Sequence, residues 1–107
     1  MKPLQKQFYI YIHCRPDGEP FYVGKGQSVN RRRGRAYKFF RRENPHYNSV
    51  IVKHGKENIL IYTRNCKSEK QANEHEVWMI AHLGRHDKGL GQLVNMTDGG
   101  DGTIHLV

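Results

Sequence analysis

Phe8-Tyr9-Ile10-Tyr11-Ile12-His13, followed after Arg15-Pro16-Asp17-Gly18-Glu19-Pro20 by Phe21-Tyr22-Val23-Gly24, is the stretch that decides the architecture. Both flanking runs are β-branched or aromatic, and Asp17-Gly18 is a favoured centre for a two-residue type I′ turn, so the segment reads as an antiparallel hairpin. With that centre Pro16 faces Glu19, and the register carries Tyr11 opposite Gly24. Tyr22 is two residues from Gly24, so alternation sends Tyr11 and Tyr22 out of the same face. Two phenols and a glycine-floored opening then share one surface, immediately before an arginine-rich run.

Working outward, Lys25 to Asn30 reads as a loop, with Ser28 or Asn30 available to cap a helix running to about Arg42. Asn44 is an N-cap, Pro45 a first helical residue and Gly55 a stop; Tyr47, Val50, Ile51 and His54 fall on one face of the helix between them. Asn58 to Arg64 is a third strand, and its near-continuous apolar core, Ile59-Leu60-Ile61-Tyr62, predicts cover on both sides. Ser68-Glu69-Lys70-Gln71 is a capping box opening a helix that ends at Gly84. The tail from Gly89 to Gly102 is rich in turn residues, with Leu93-Val94 as a short apolar anchor. There is no internal repeat and no low-complexity linker. The order β-β-α-α-β-α implies an α+β fold, a small three-stranded antiparallel β-sheet flanked by α-helices, with residues 1–107 as a single domain.

Eighteen Lys and Arg against ten Asp and Glu give a net charge of +8, which favours a polyanionic partner. Arg31, Arg32, Arg33, Arg35, Lys38, Arg41 and Arg42 concentrate that charge, interleaved with Tyr37, Phe39 and Phe40. A merely solvated basic helix is the plain alternative. The aromatic residues form no long apolar face, so membrane-surface binding is not expected. No stretch approaches the ~18 apolar residues of a membrane span, and the first seven residues lack the apolar core of a signal peptide. Cys14 and Cys66 are too few and too far apart for a disulfide framework or zinc site; they read as reduced thiols of a cytoplasmic (intracellular) protein.

The strongest chemical signal lies in the helix from Ser68 to Leu83. Ala72, Met79, Ile80 and Leu83 form its apolar stripe, and Glu76 stands in the middle of it. A carboxylate facing a core costs several kcal/mol unless a cation or a metal answers it. An internal salt bridge to an arginine is one solution; a metal ligand at the inner edge of a cleft is the other. Mg²⁺ suits a site with one or two carboxylates, because it keeps waters and accepts phosphate oxygens. Glu74 points the opposite way. Asp98 and Asp101 lack the alternating oxygens of a calcium loop, Gly24-Lys25-Gly26 lacks phosphate-loop spacing, and His75, His82 and His86 lack zinc spacing.

Tyr9-Ile10-Tyr11 and Tyr22-Val23-Gly24 resemble the two tripeptides of the GIY-YIG nuclease family. Glu76-Val77-Trp78-Met79-Ile80 with Leu83-Gly84 looks like that family's metal-binding segment, and Arg35-Ala36-Tyr37 looks like its catalytic arginine with neighbours. Asn95 with Gly99-Gly100 is similar to its closing motif. The resemblance runs from Tyr9 to Gly102. It departs at Tyr9, where the family has glycine, and at Phe39, where some members carry a histidine.

The resemblance implies a metal-dependent endonuclease that hydrolyses phosphodiester bonds in DNA, with Mg²⁺ (or Mn²⁺) as its metal and no small-molecule cofactor. Glu76 would be the metal ligand, Arg35 a bidentate partner of the transition state, Tyr11 the general base and Tyr22 a positioning group. An unperturbed phenol titrates near ~10 and is a weak base at neutral pH, so Lys25, just past Tyr22, is expected to assist by its charge. Asn95 would position the phosphate or tie the tail to the active face. Arg31, Arg32, Arg33, Lys38, Arg41 and Arg42 would track the backbone. Arg35 is preferred to its neighbours because Ala36 and Phe39 set it beside the packed face, with Arg32 as the alternative. One centre per chain implies a monomer in the absence of DNA that nicks one strand at a time. A non-catalytic nucleic-acid-binding module on the same scaffold, and a structural interaction domain, are the readings from other classes.

Overall fold

A computed structural model of the chain describes residues 6–40 and 43–100. Strands β1 (Lys6–Cys14), β2 (Pro20–Val29) and β3 (Leu60–Cys66) form one antiparallel sheet in the order β2-β1-β3. With helices α1 (Pro45–His54) and α2 (Glu69–Leu83), this is the expected α+β fold. β1 takes the centre because it is apolar on both faces. Tyr9 and Tyr11 pack against Ala36 on one side, and Ile10 packs against Cys66 and Ala72 on the other. On the tyrosine face α1 contributes Tyr47, Val50 and Ile51, which close over Phe21, Ile59 and Val94. On the opposite face α2 sets Ile80 against Val23 and Leu93.

The hairpin turn is one residue longer than the sequence suggests. Arg15 N–H donates to the Glu19 carbonyl at 2.9 Å and Gly18 N–H to the Arg15 carbonyl at 2.8 Å, so Pro16, Asp17 and Gly18 form the loop. Only Gly18 has positive φ, at +92°, whereas a type I′ turn needs it at both central residues. Asp17 Oδ1 instead accepts the Glu19 N–H at 2.9 Å, a local bond that competes with the two-residue turn. Pro16 therefore does not face Glu19. A register shift between His13 and Cys14 absorbs the extra residue, and Tyr11 still faces Gly24.

The helix expected from Ser28 or Asn30 to about Arg42 is absent from the described residues of that stretch. β2 continues through Val29, and the chain reverses at Asn30 (φ 52°) and Arg31 (φ 69°). Val29 and Arg32 exchange both backbone hydrogen bonds, at 3.2 and 3.0 Å. One 3-10 turn follows, Gly34–Tyr37. Ser28 is a strand residue whose hydroxyl donates to the Gln7 carbonyl at 3.1 Å, not a cap. The physical reasons lie in the segment itself. Gly34 would cost a helix interior about 1 kcal/mol relative to alanine. Arg31 with Arg35 is a like-charge pair four residues apart, a spacing that opposes a helix by a few tenths of a kcal/mol.

β3 also differs. It spans Leu60–Cys66 and forms an edge, so Tyr62 is 57% exposed where cover on both sides was expected. The two later helices match their sequence signals. Asn44 Oδ1 accepts Tyr47 N–H at 3.0 Å with Pro45 as first residue and Gly55 beyond the end; Ser68 Oγ accepts Gln71 N–H at 3.1 Å with Gly84 beyond the end.

Candidate active site

Along one face of the sheet β1 presents Gln7, Tyr9, Tyr11 and His13 to Ser28, Gly26, Gly24 and Tyr22 of β2. The two glycines are where the tyrosines lie. A methyl group at Gly24 would overlap the Tyr11 ring and hydroxyl, and one at Gly26 would lie 2.7 Å from Tyr9 Oη. Each phenol thus crosses over β2 toward its free edge. The Tyr11 and Tyr22 ring centroids are 6.2 Å apart, on the shared face expected from the register.

The 3-10 turn carrying Arg35 is fastened to this face through Ala36. Its N–H donates to Tyr9 Oη at 3.3 Å, and its carbonyl lies 2.6 Å from His13 Nε2. A carbonyl only accepts, so Nε2 carries a proton. In the neutral ring Nδ1 then accepts from the Tyr47 hydroxyl 2.9 Å away. Burial pushes the Tyr9 phenol pKa up, opposed by hydrogen bonds from the Ala36 and Arg35 backbone and by the charges of Arg35 and Arg33. Arg35 is therefore brought beside the tyrosine row, whereas Arg32 sits on the bridge to Val29. Tyr9, the departure from glycine, has a structural use here. His13 escaped the sequence reading, although its position two residues beyond Tyr11 signals the same face.

Glu76 belongs to the other face. It is 8% exposed on α2, between Ala72 and Ile80, and its Oε1 accepts the Gly100 N–H at 2.9 Å. Gly99 and Gly100, at φ 80° and 79°, lie so close to the helix that a methyl at either would press on Glu76 or Val77. Lys25 pairs with Ile10 and leaves the sheet on this α2 side, away from the two phenols. Its ammonium is enclosed without a hydrogen-bond partner.

The two faces are joined at the free edge of β2. Asn95, 6% exposed, accepts the Val23 N–H at 3.0 Å and donates to the Val23 carbonyl at 2.7 Å, so its amide stands in for a neighbouring strand. Val94 N–H donates to the Phe21 carbonyl at 2.7 Å. Of the two roles expected for Asn95, the geometry displays the tie between tail and sheet. Arg85, which sequence reasoning passed over, anchors the same tail. It bonds Asp87 at 2.6 and 2.9 Å, Asp98 at 3.0 Å and the Met96 carbonyl at 2.8 Å. The guanidinium holds the Asp87 carboxyl below its usual range.

Among the described residues no three His, Cys, Asp or Glu side chains gather into a metal-binding group. Glu76 as a lone carboxylate fits Mg²⁺ or Mn²⁺ only where substrate phosphate and water complete the shell. His82 stacks on Trp78 with centroids 4.8 Å apart, and His86 meets His46 edge-on at 5.0 Å. Arg31, Arg32 and Lys38 are exposed and Arg33 is half-buried; Arg41 and Arg42 lie outside the described residues, as do Asp101 and Gly102. Cys14 and Cys66 are free and buried, at opposite ends of the β1–β3 ladder. No helix of the described residues is long and apolar enough to cross a membrane. Comparison with known proteins adds no relative: no family model, curated protein or solved structure matches the chain.

Proposed function

We propose that the chain is a metal-dependent endonuclease that hydrolyses phosphodiester bonds in DNA at the free edge of β2. The observation that carries this reading is the pairing of Gly24 with Lys25 there. The Tyr11 phenol lies across Gly24 from one face, and on the other the Lys25 ammonium has no hydrogen-bond partner. An enclosed cation calls for an anion, and a phosphate approaching the edge would supply one. In this reading Tyr11 takes the proton of the attacking water and Tyr22 orients that water or the phosphate. Arg35 makes a two-point contact to the charge that builds in the pentavalent transition state. Glu76 would hold the Mg²⁺, which when bound would supply Lewis-acid and leaving-group stabilisation. Asn95 keeps Val23, and hence Gly24, in place. The net charge of +8 draws the polyanion in. A cytoplasmic setting goes with this reading, since both thiols are free.

The lone carboxylate favours one other reading, a non-catalytic nucleic-acid-binding module on the same scaffold. Supercoiled plasmid incubated with wild type and with Glu76→Gln, each with Mg²⁺ and with EDTA, separates the two. The nuclease reading expects open circles before linear product in wild type with Mg²⁺ and no product in the other three reactions. The Gly100 N–H can still bond the glutamine amide oxygen, so the variant should keep its fold. Wild-type rates in Glu76→Gln, or cutting that survives EDTA, would remove the metal role. Salt-sensitive binding without cutting in any reaction would favour the module.

A further inference from the structure

At the far end of the tyrosine face lies a cleft of about 260 Å³ lined by Lys6, Gln7, Ser28, Arg31, Arg33 and Asn65. It holds three cationic side chains and no carboxylate. Arg33 lies over the Tyr9 ring, 5.8 Å from its centroid, and gives one Nη2 hydrogen bond to Asn65 Oδ1 at 2.9 Å. Its Nε is enclosed with no hydrogen-bond partner. The Ser28 hydroxyl and Gln7 amide are already spent on the Gln7 and Cys66 carbonyls. The donors left over are those of the three cationic side chains and the amide nitrogen of Asn65.

Arg31 supplies a second, independent indication. At φ 69° it occupies the second central position of a two-residue turn, where glycine is the unstrained choice. A bulky L-residue in that conformation is strained, and such strain gathers at binding sites. Here it places a guanidinium on the rim of the cleft.

We propose that this cleft is a second phosphodiester subsite, which grips a backbone phosphate of the DNA strand whose cleavage centre lies at Gly24. The inference rests on the nuclease reading for its ligand. Gln7 and Tyr11 are four residues apart on β1, roughly 14 Å at 3.4 Å per residue. A duplex strand advances ~3.4 Å per phosphate along its axis, so the gripped phosphate lies about four steps from the cut. The subsite would fix the register of the strand across the tyrosine row, a task that a single contact at the reacting phosphate cannot perform.

The test uses a short duplex in which one phosphate at a time is replaced by an uncharged methylphosphonate. Fluorescence anisotropy in EDTA at about 0.1 M salt reads binding without cleavage. Wild type should lose about eightfold in affinity at one position three to five steps from the cut, the value expected for a counterion slope of ~0.9 per phosphate. Arg33→Gln should be insensitive at that same position and show a salt slope lower by about one. Arg31→Gly should also weaken binding while its thermal midpoint stays equal or rises, because the turn strain is relieved. Salt-dependent binding in which neither variant silences any position overturns the subsite and leaves the nuclease reading standing. Loss of all salt-dependent DNA binding by wild type defeats both. Binding of inorganic phosphate at the cleft with no DNA affinity identifies a free-anion site and also overturns the proposal.

Discussion

Gly24→Ala isolates the contact on which the site is built. Gly24 lacks positive φ, so an alanine backbone fits there and any effect is steric. The added methyl would overlap the Tyr11 ring, which is 1% exposed and bounded by Tyr9, His13 and Tyr22 with centroids 6.1, 5.1 and 6.2 Å away. The ring has nowhere to retreat without disturbing those neighbours, and overpacking of this kind costs about 1–3 kcal/mol. Replacing Tyr11 by valine removes the obstructing ring but keeps a β-branched strand residue. In that background Gly24→Ala should stabilise by about 0.5–1 kcal/mol, the ordinary advantage of alanine over glycine in a strand. The expected coupling is thus about 1.5–4 kcal/mol, readable from urea unfolding of the four proteins of the cycle. An equal cost of Gly24→Ala in both backgrounds would refute the argument that Tyr11 is what the glycine accommodates.

Two further expectations concern the tail. Asn95→Ala leaves the Val23 N–H and carbonyl without their Asn95 partner, at about 1–3 kcal/mol for each group; the urea midpoint should fall, and an unaltered midpoint would contradict the tie. Asp87 has its pKa lowered by Arg85, so its contribution is present above the unfolded carboxyl value and is lost as pH falls through the folded one. Asp87→Asn should therefore lower stability at neutral pH and converge with wild type in acid, and a difference that persists in acid would show that the effect is not ionic.

What could be read from the sequence was local. The caps at Asn44 and Ser68 and the stops at Gly55 and Gly84 each depend on residues within a turn or two, and all four form as the spacing predicts. Glu76 was legible because a carboxylate interrupts a seven- and eight-residue apolar spacing, which depends only on helix geometry. The partner that meets it was not, since the Gly100 N–H arrives from 24 residues away. The arginine run misled for a different reason. Asn30-Arg31 makes a primed turn without the glycine that normally marks one, so the turn carried no signature of its own, and only the weak opposition of Gly34 and of the Arg31–Arg35 pair stood against the helix. The relative placement of the site residues depended on strand parity. Tyr11, Tyr22 and His13 share a face with Gly24, whereas Lys25 lies on the other, and that difference followed from strand alternation once the register was fixed.

Parity also determines where chemistry is feasible. Residues on opposite faces of a sheet are separated by its backbone everywhere except at a free edge, and β2 is such an edge. Its glycines weaken the strand by ordinary propensity, yet they let Tyr9 and Tyr11 reach over it from the central strand. The tail protects the same edge only in part. Among the described residues its backbone bonds Phe21 and its Asn95 side chain bonds Val23, after which the chain turns away toward α2 and Gly100 meets Glu76. A tail that continued as a fourth strand would cover the edge beside Lys25. Side-chain pairing by Asn95 ends the ladder one residue short of Gly24, so among the described residues the device that secures the edge stops short of the segment over which the Tyr11 ring lies.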